Sequence, residues 1–164
     1  MNKDIKTIQR ASRIGLWGSV AAVILTVAFL YSPWRFYPSA HTSKWMLIAG
    51  CVLAVLAVSM TLLTVRRQIP LLRQSEGLEH KLAGYAAHVR SLYTTMPVVV
   101  VLLCLFTLLS ARNVLLMLAL VSVLVLFLNY PNIYRIKVDL GLTDDEMRSL
   151  FGDRYIADGG DAEK

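Results

Sequence analysis

Ionisable residues are missing from the interior of four long apolar runs, residues 14–32, 45–65, 91–111 and 113–130, which fill most of this 164-residue chain. A charge within a bilayer is costly and is kept where it moves an ion or meets a partner. Its absence disfavours proton-driven exporters and rotary-ATPase proteolipids, both of which place an acidic residue in mid-membrane. Cysteine is scarce too: Cys51 and Cys104 both fall inside apolar runs, where a thiol behaves as a small apolar group. With no Cys-x-x-Cys and no Cys/His cluster of ligand spacing, thiol redox chemistry and a structural zinc site have no support. The acids Asp139, Asp144, Asp145, Glu146 and Asp153 lack the Asp-x-Asp-x-Asp-Gly spacing of a calcium loop. Zinc-finger, helix-turn-helix and aromatic-basic sheet patterns are also missing, so the net charge of +6 is not read as a nucleic-acid footprint. No cofactor is expected.

What the chain has is apolar length. Its hydrophobic share is 56% against 17% charged, on the membrane side of soluble domains. A hydrocarbon core about 30 Å thick takes roughly 20 helical residues. The expected fold class is an all-α membrane protein: four transmembrane helices as two antiparallel hairpins, a cytoplasmic amphipathic helix in the 66–90 loop, and a short C-terminal helix. Residues 1–130 are expected to form the membrane domain and 131–164 a cytoplasmic tail. The basic start, residues 1–13, precedes an apolar run too long for a signal-peptide core, and Tyr31-Ser32-Pro33-Trp34 is too bulky for a cleavage site. The first run is therefore expected to remain as a span.

Charge sets the expected orientation. Lys3, Lys6, Arg10 and Arg13 precede the first run, and Arg66, Arg67, Arg73, Lys81 and Arg90 lie between the second and third. The opposite side has Arg35, Lys44 and Arg112. Lys and Arg near span ends favour the cytoplasmic side, which places both termini there, and Arg135 and Lys137 agree. The same residues predict attraction to anionic lipid on the cytoplasmic face.

Small residues recur along the first two runs. Gly15, Ser19, Ala22 and Thr26 step by four, three and four, and Gly50, Ala54, Ala57 and Thr61 repeat that spacing. Each set shares one helical face. Small side chains let membrane helices approach closely, so these stripes are expected to pair the first span with the second. The third and fourth runs carry bulk such as Val98, Leu102, Leu116 and Leu124 and are expected to face lipid. Only Ser110-Ala111-Arg112-Asn113 separates them, which forces an antiparallel hairpin, with Asn113 as the candidate helix cap. Trp34, Phe36, Tyr37 and Trp45 read as an interfacial aromatic belt.

In the 66–90 loop, Pro70 is expected to end any extension of the second helix, and Ser75 with Glu76 and Glu79 to start the next. From Leu78 the apolar positions Leu82, Tyr85, Val89, Leu92 and Met96 follow in heptad-like steps. That stripe runs into the third span, as one helix kinked at Pro97 or as two collinear ones. In the tail, Thr143-Asp144-Asp145-Glu146 has the form of a capping box, with Leu142 and Met147 placed as a hydrophobic staple. This predicts a short helix over 144–151, ended by Gly152. Residues 158–164 are polar and expected to be disordered.

Lys81-Leu82-x-x-Tyr85 ahead of the third run, the tight polar hairpin turn, Pro131, and Asp139-Leu140-x-Leu142 together resemble a group of small, uncharacterised bacterial inner-membrane proteins. The resemblance covers residues 79–151. It implies a four-helix inner-membrane fold with no assigned activity, and it passes on no functional residue.

Two sets of candidate residues follow. Leu78, Leu82, Tyr85 and Val89, with Leu142, Met147, Leu150 and Phe151, form the candidate interaction surface, facing the chain's own tail, a membrane surface or another protein. Gly15, Ser19, Ala22, Gly50, Ala54 and Ala57 are the candidate helix-packing positions. The expected role is a non-enzymatic interaction or scaffold component that associates with itself or with a membrane-protein partner. The alternative is a small permease-like or channel-like subunit with a thin lining of Ser and Thr. An enzyme would have to draw on Glu76, Glu79, His80 and His88, which no second segment answers with a nucleophile or ligand.

Overall fold

A computed structural model of the chain describes residues 2–32, 40–74 and 77–151. Trp34, Phe36, Tyr37, Ser75, Glu76, Gly152 and the 158–164 segment lie outside the described residues. Among those described there are six helices and no strand: α1 Asn2–Leu30, α2 Ala40–Gln74, α3 Leu78–Ser110, α4 Asn113–Leu128, α5 Ile133–Leu140 and α6 Asp144–Phe151. Helices α1, α2 and α3 are each long and apolar enough to cross a membrane, and the chain is an integral membrane helical protein. Helix α4 rises only about 24 Å at 1.5 Å per residue, short of the core of about 30 Å. It meets the same length and hydropathy criteria together with α5, which is bent from it by 79°.

Helix α3 is the hub. It packs on α1, α2 and α4, whereas α1 and α2 each touch α4 and scarcely touch one another. Ile8 shares an apolar cluster with Leu82 and Tyr85, and Val23 shares another with Val99 and Leu103, so α1 runs parallel to α3. Helix α2 runs antiparallel to α3: Ser43 Oγ donates to the Ser110 carbonyl at 2.9 Å at one end, and Leu72 lies over Gly84 at the other. Helix α4 returns along α3, and the Tyr93 hydroxyl donates to the Leu126 carbonyl at 2.7 Å.

This packing corrects the expected pairing of the first span with the second. The small-residue stripes face α3 and α4 instead. Gly15 lies against the Tyr93 backbone and the Pro97 ring, and Gly50 receives the Leu115 side chain. Bulk and smallness are complementary: the large side chains of α3 and α4 need shallow surfaces opposite them, and α1 and α2 supply these. The bulk of α4 faces outward as expected, with Met117, Val121, Leu124 and Phe127 exposed and only Leu115 and Leu126 of its large side chains fully buried, whereas α3 departs from the expectation and buries Val99, Val100 and Leu103. The most apolar window of α2 is 11% buried against 44% for α3, so α2 is the most lipid-exposed long helix.

Three local expectations also change. Pro70 lies inside α2, which continues to Gln74. A proline removes one helical hydrogen bond, and Pro70 is exposed, where surrounding solvent or headgroups can serve the freed carbonyl. Asn113 is the first residue of α4 rather than its cap; that position belongs to Arg112, which makes no side-chain capping bond. The third-span segment is one continuous helix through Pro97, preceded by Gly77.

Candidate functional site

The polar side chains concentrate where α5 and α6 fold back on the adjoining ends of α2 and α3. At the α4–α5 bend, Asn132 Oδ1 accepts from the Arg135 backbone N–H at 2.6 Å and caps α5. The Arg135 guanidinium turns back and donates to the Leu128 carbonyl and to Asn129 Oδ1 at 2.9 Å. A cation is thus held on the unpaired carbonyls at the negative end of the α4 dipole. Asp139, one turn along α5, meets Arg135 Nε at 3.4 Å and accepts from the Tyr85 hydroxyl at 3.3 Å. The chain Asn129–Arg135–Asp139–Tyr85 links α4, α5 and α3. Arg135→Ala is expected to free α5 from the end of α4, costing about 1.5–3 kcal/mol for hydrogen bonds to a charged group. Hydrogen exchange in detergent should rise in α5 with little change in α1 to α3.

Helix α2 holds the other end of α5. Arg73 donates to the Val138 carbonyl at 2.7 Å, and its alkyl chain lies under Gly141, where an added Cβ would meet Arg73 Cγ at 3.1 Å. Gly141 ends α5 in the left-handed region at φ +62°, which a glycine adopts without penalty. Deeper along α3, His88 Nδ1 lies 3.0 Å from Gln68 Oε1 on α2.

The tail helix begins as its capping box predicts. The Thr143 N–H donates to Glu146 Oε2 at 2.8 Å, and the Glu146 N–H donates to Thr143 Oγ1 at 3.3 Å. Leu142 and Met147, the staple pair, are both buried. Hydrogen bonds from the Thr143 backbone and hydroxyl hold the Glu146 carboxyl below its usual range. Because the folded pKa is depressed, this contribution is complete above the unfolded value near 4.5 and is lost as pH falls through the folded pKa. The protection of α6 against hydrogen exchange, taken relative to the intrinsic rate at each pH, is expected to fall below about pH 4.5. Glu146→Gln, which keeps the box without a titrating group, should blunt that dependence.

The candidate interaction residues are brought together, but against one another. Leu82, Tyr85, Val89, Leu142 and Met147 are buried in one cluster with Ile136 and Leu140, and Leu78, Leu150 and Phe151 pack at its edge. The stripe on α3 is therefore occupied by the chain's own tail, because folding α5 and α6 onto it removes both apolar faces from water at once. Among the packing candidates, Gly15, Ser19, Gly50 and Ala54 are buried and Ala22 and Ala57 partly so, on α3 and α4 as described. Glu79 and His80 are exposed near the start of α3. No group of three His, Cys, Asp or Glu residues placed to hold a metal occurs among the described residues.

The hydroxyls considered as a pore lining are turned onto their own helices. Those of Ser19, Thr26, Thr61, Thr64, Thr107 and Ser122 donate to the carbonyl four residues earlier at 2.7–2.9 Å. In the sequence alone Arg135 and Arg73, which tie α5 to α4 and α2, read only as charges for orientation. Asn132 three residues before Arg135 is the one local sign of the α5 start; nothing in sequence spacing reveals Arg73 reaching a segment 65 residues away.

Comparison of the chain with models of known protein families, with curated proteins and with solved structures gives no match.

Proposed function

We propose that this chain is a non-enzymatic interaction component of a bacterial inner membrane, with both termini cytoplasmic, associating with itself or with another membrane protein at its tail end. The resemblance to small inner-membrane proteins is part of this reading, as is α4 acting as the fourth span. The basic residues Arg66, Arg67, Arg73, Lys81 and Arg90 surround the end where the tail docks, which favours that end as cytoplasmic. One observation carries the proposal. With the α3 stripe filled by the tail, the rigidly tied α4–α5 bend keeps an apolar and aromatic outer face: Phe127 is 64% and Tyr134 74% exposed, beside Leu128 and Val138. Such residues around a fixed polar centre suit a partner at the membrane boundary.

A photoreactive residue in place of Tyr134 or Val138, activated in native membranes, is expected to trap a second copy or a single membrane-protein partner. Lipid adducts alone, with no protein adduct and no homo-oligomer, would sink the proposal. Orientation has a separate check: an impermeant thiol reagent applied to intact cells should label Ser39→Cys and spare Ser75→Cys. The permease-like reading draws on the thin set of Ser and Thr hydroxyls in the spans, and solute flux in liposomes holding only this chain would favour it over the interaction role.

A further inference from the structure

One side of the α2–α3 contact carries a laterally open groove made of two adjoining cavities. The one nearer the middle of the spans, about 360 Å³, has an apolar end formed by Leu53, Leu56 and Val99. The one nearer the tail, about 450 Å³, is bordered by Gln68, His80 and Gly84. Thr64, His88 and Ser91 line both, so the two are continuous. Both cavities are mainly apolar, and Gln68 and His80 add polar groups at the tail end beside Leu71 and Leu72. We propose that it holds one anionic phospholipid, its acyl chain between α2 and α3 and its headgroup at Gln68, His80 and His88.

Three features select this occupant. The first is length: from Leu53 to Gln68 α2 rises about 22 Å, which matches one leaflet of a bilayer about 40–45 Å thick including headgroups. The second is depth. The uncharged run of α2 ends at Val65 and is followed by Arg66 and Arg67, so the polar end of the groove falls at the headgroup boundary and the apolar end near the bilayer centre. The third is charge. Arg67 is three residues after Thr64 and four before Leu71, both of which line the groove, and so flanks its mouth. Helix α2 contains no acidic residue, and Glu79 is the one acid in α3. A zwitterionic lipid would fit the length and the depth; the cations favour a net negative head.

The full-length protein, equilibrated with nanodiscs of mixed phosphatidylglycerol and phosphatidylcholine and then released for native mass spectrometry, is expected to retain one phosphatidylglycerol. Arg67→Gln should weaken that preference roughly fivefold, the factor expected for one basic residue near an anionic surface. Ser91→Phe, at the junction of the two cavities, should abolish retention while the melting temperature stays near that of the unaltered chain. Thr95→Phe, exposed on the same groove wall, serves in its place if Ser91→Phe does not fold. Equal retention of the two lipids, retention that survives a folded groove-filling variant, or a lipid-free dimer covering α2 would each overturn the assignment.

Discussion

Gly15→Leu is expected to lower the melting temperature of the detergent-solubilised protein sharply, while Gly18→Leu leaves it nearly unchanged. Both glycines lie in α1 three residues apart, so helix propensity and membrane partitioning change alike. Their surroundings differ. An added Cβ at Gly15 would sit 2.7 Å from the Tyr93 carbonyl oxygen and 3.3 Å from the Pro97 ring, whereas at Gly18 it meets nothing within 4 Å. Backbone cannot rotate aside as a side chain can, so α1 must move away from α3 or the two helices must splay. Forcing extra methylenes into a packed contact costs about 1–3 kcal/mol, and α1 has its principal contact with α3. The site has a further reason to stay close. Pro97 has no N–H to give to the Tyr93 carbonyl four residues earlier, and the bare backbone of Gly15 is what comes against that oxygen. Equal melting temperatures for the two variants would show that α1 is not held by this approach.

Leu140→Ala is expected to release the tail from the bundle. Leu140 is 0% exposed and closes α5 at the centre of the cluster that also holds Leu82, Tyr85, Ile136 and Met147. Deleting a buried leucine side chain costs about 2–5 kcal/mol, the upper part of that range applying where neighbours cannot collapse. Collapse is restricted here because Arg73 on the Val138 carbonyl and Arg135 on the end of α4 fix α5 from two sides. The expected readout is local: faster hydrogen exchange and protease cleavage in α5 and α6, with α1 to α3 protected as before. Loss of protection throughout the bundle would mean that the tail is part of one cooperative unit with the spans.

The particular residues show how far reading the chain reaches. The capping box at Thr143 was legible because its partners are three residues apart and its bonds form whatever the rest of the molecule does. The α3 stripe of Leu82, Tyr85 and Val89 was legible as an apolar face, with the tail as one expected cover among three, since periodicity names a face and does not by itself choose its neighbour. Pro70 misled because a proline's effect depends on whether the freed carbonyl is buried, and here the site is exposed. Gly15 and Gly50 were recognised as contact points and assigned to each other; in the structure each accepts bulk from α3 or α4. The polar ties of Arg73 to Val138, Tyr85 to Asp139 and His88 to Gln68 join residues far apart in the chain, and spacing carries no information about such pairs.

By itself the sequence determined the class of this protein: uncharged apolar runs must leave water, and a membrane is the medium that takes helices of that length. It also determined where the short helix of the tail starts, through bonds that are local. The tertiary structure alone decided that α3 is the hub and that α1 and α2 flank it without pairing, and among the occupants open for the α3 stripe it selects the chain's own tail. The physical reason is that helix packing in a bilayer is chosen by shape between surfaces. Shape is a property of two helices together, and neither helix's sequence states it alone.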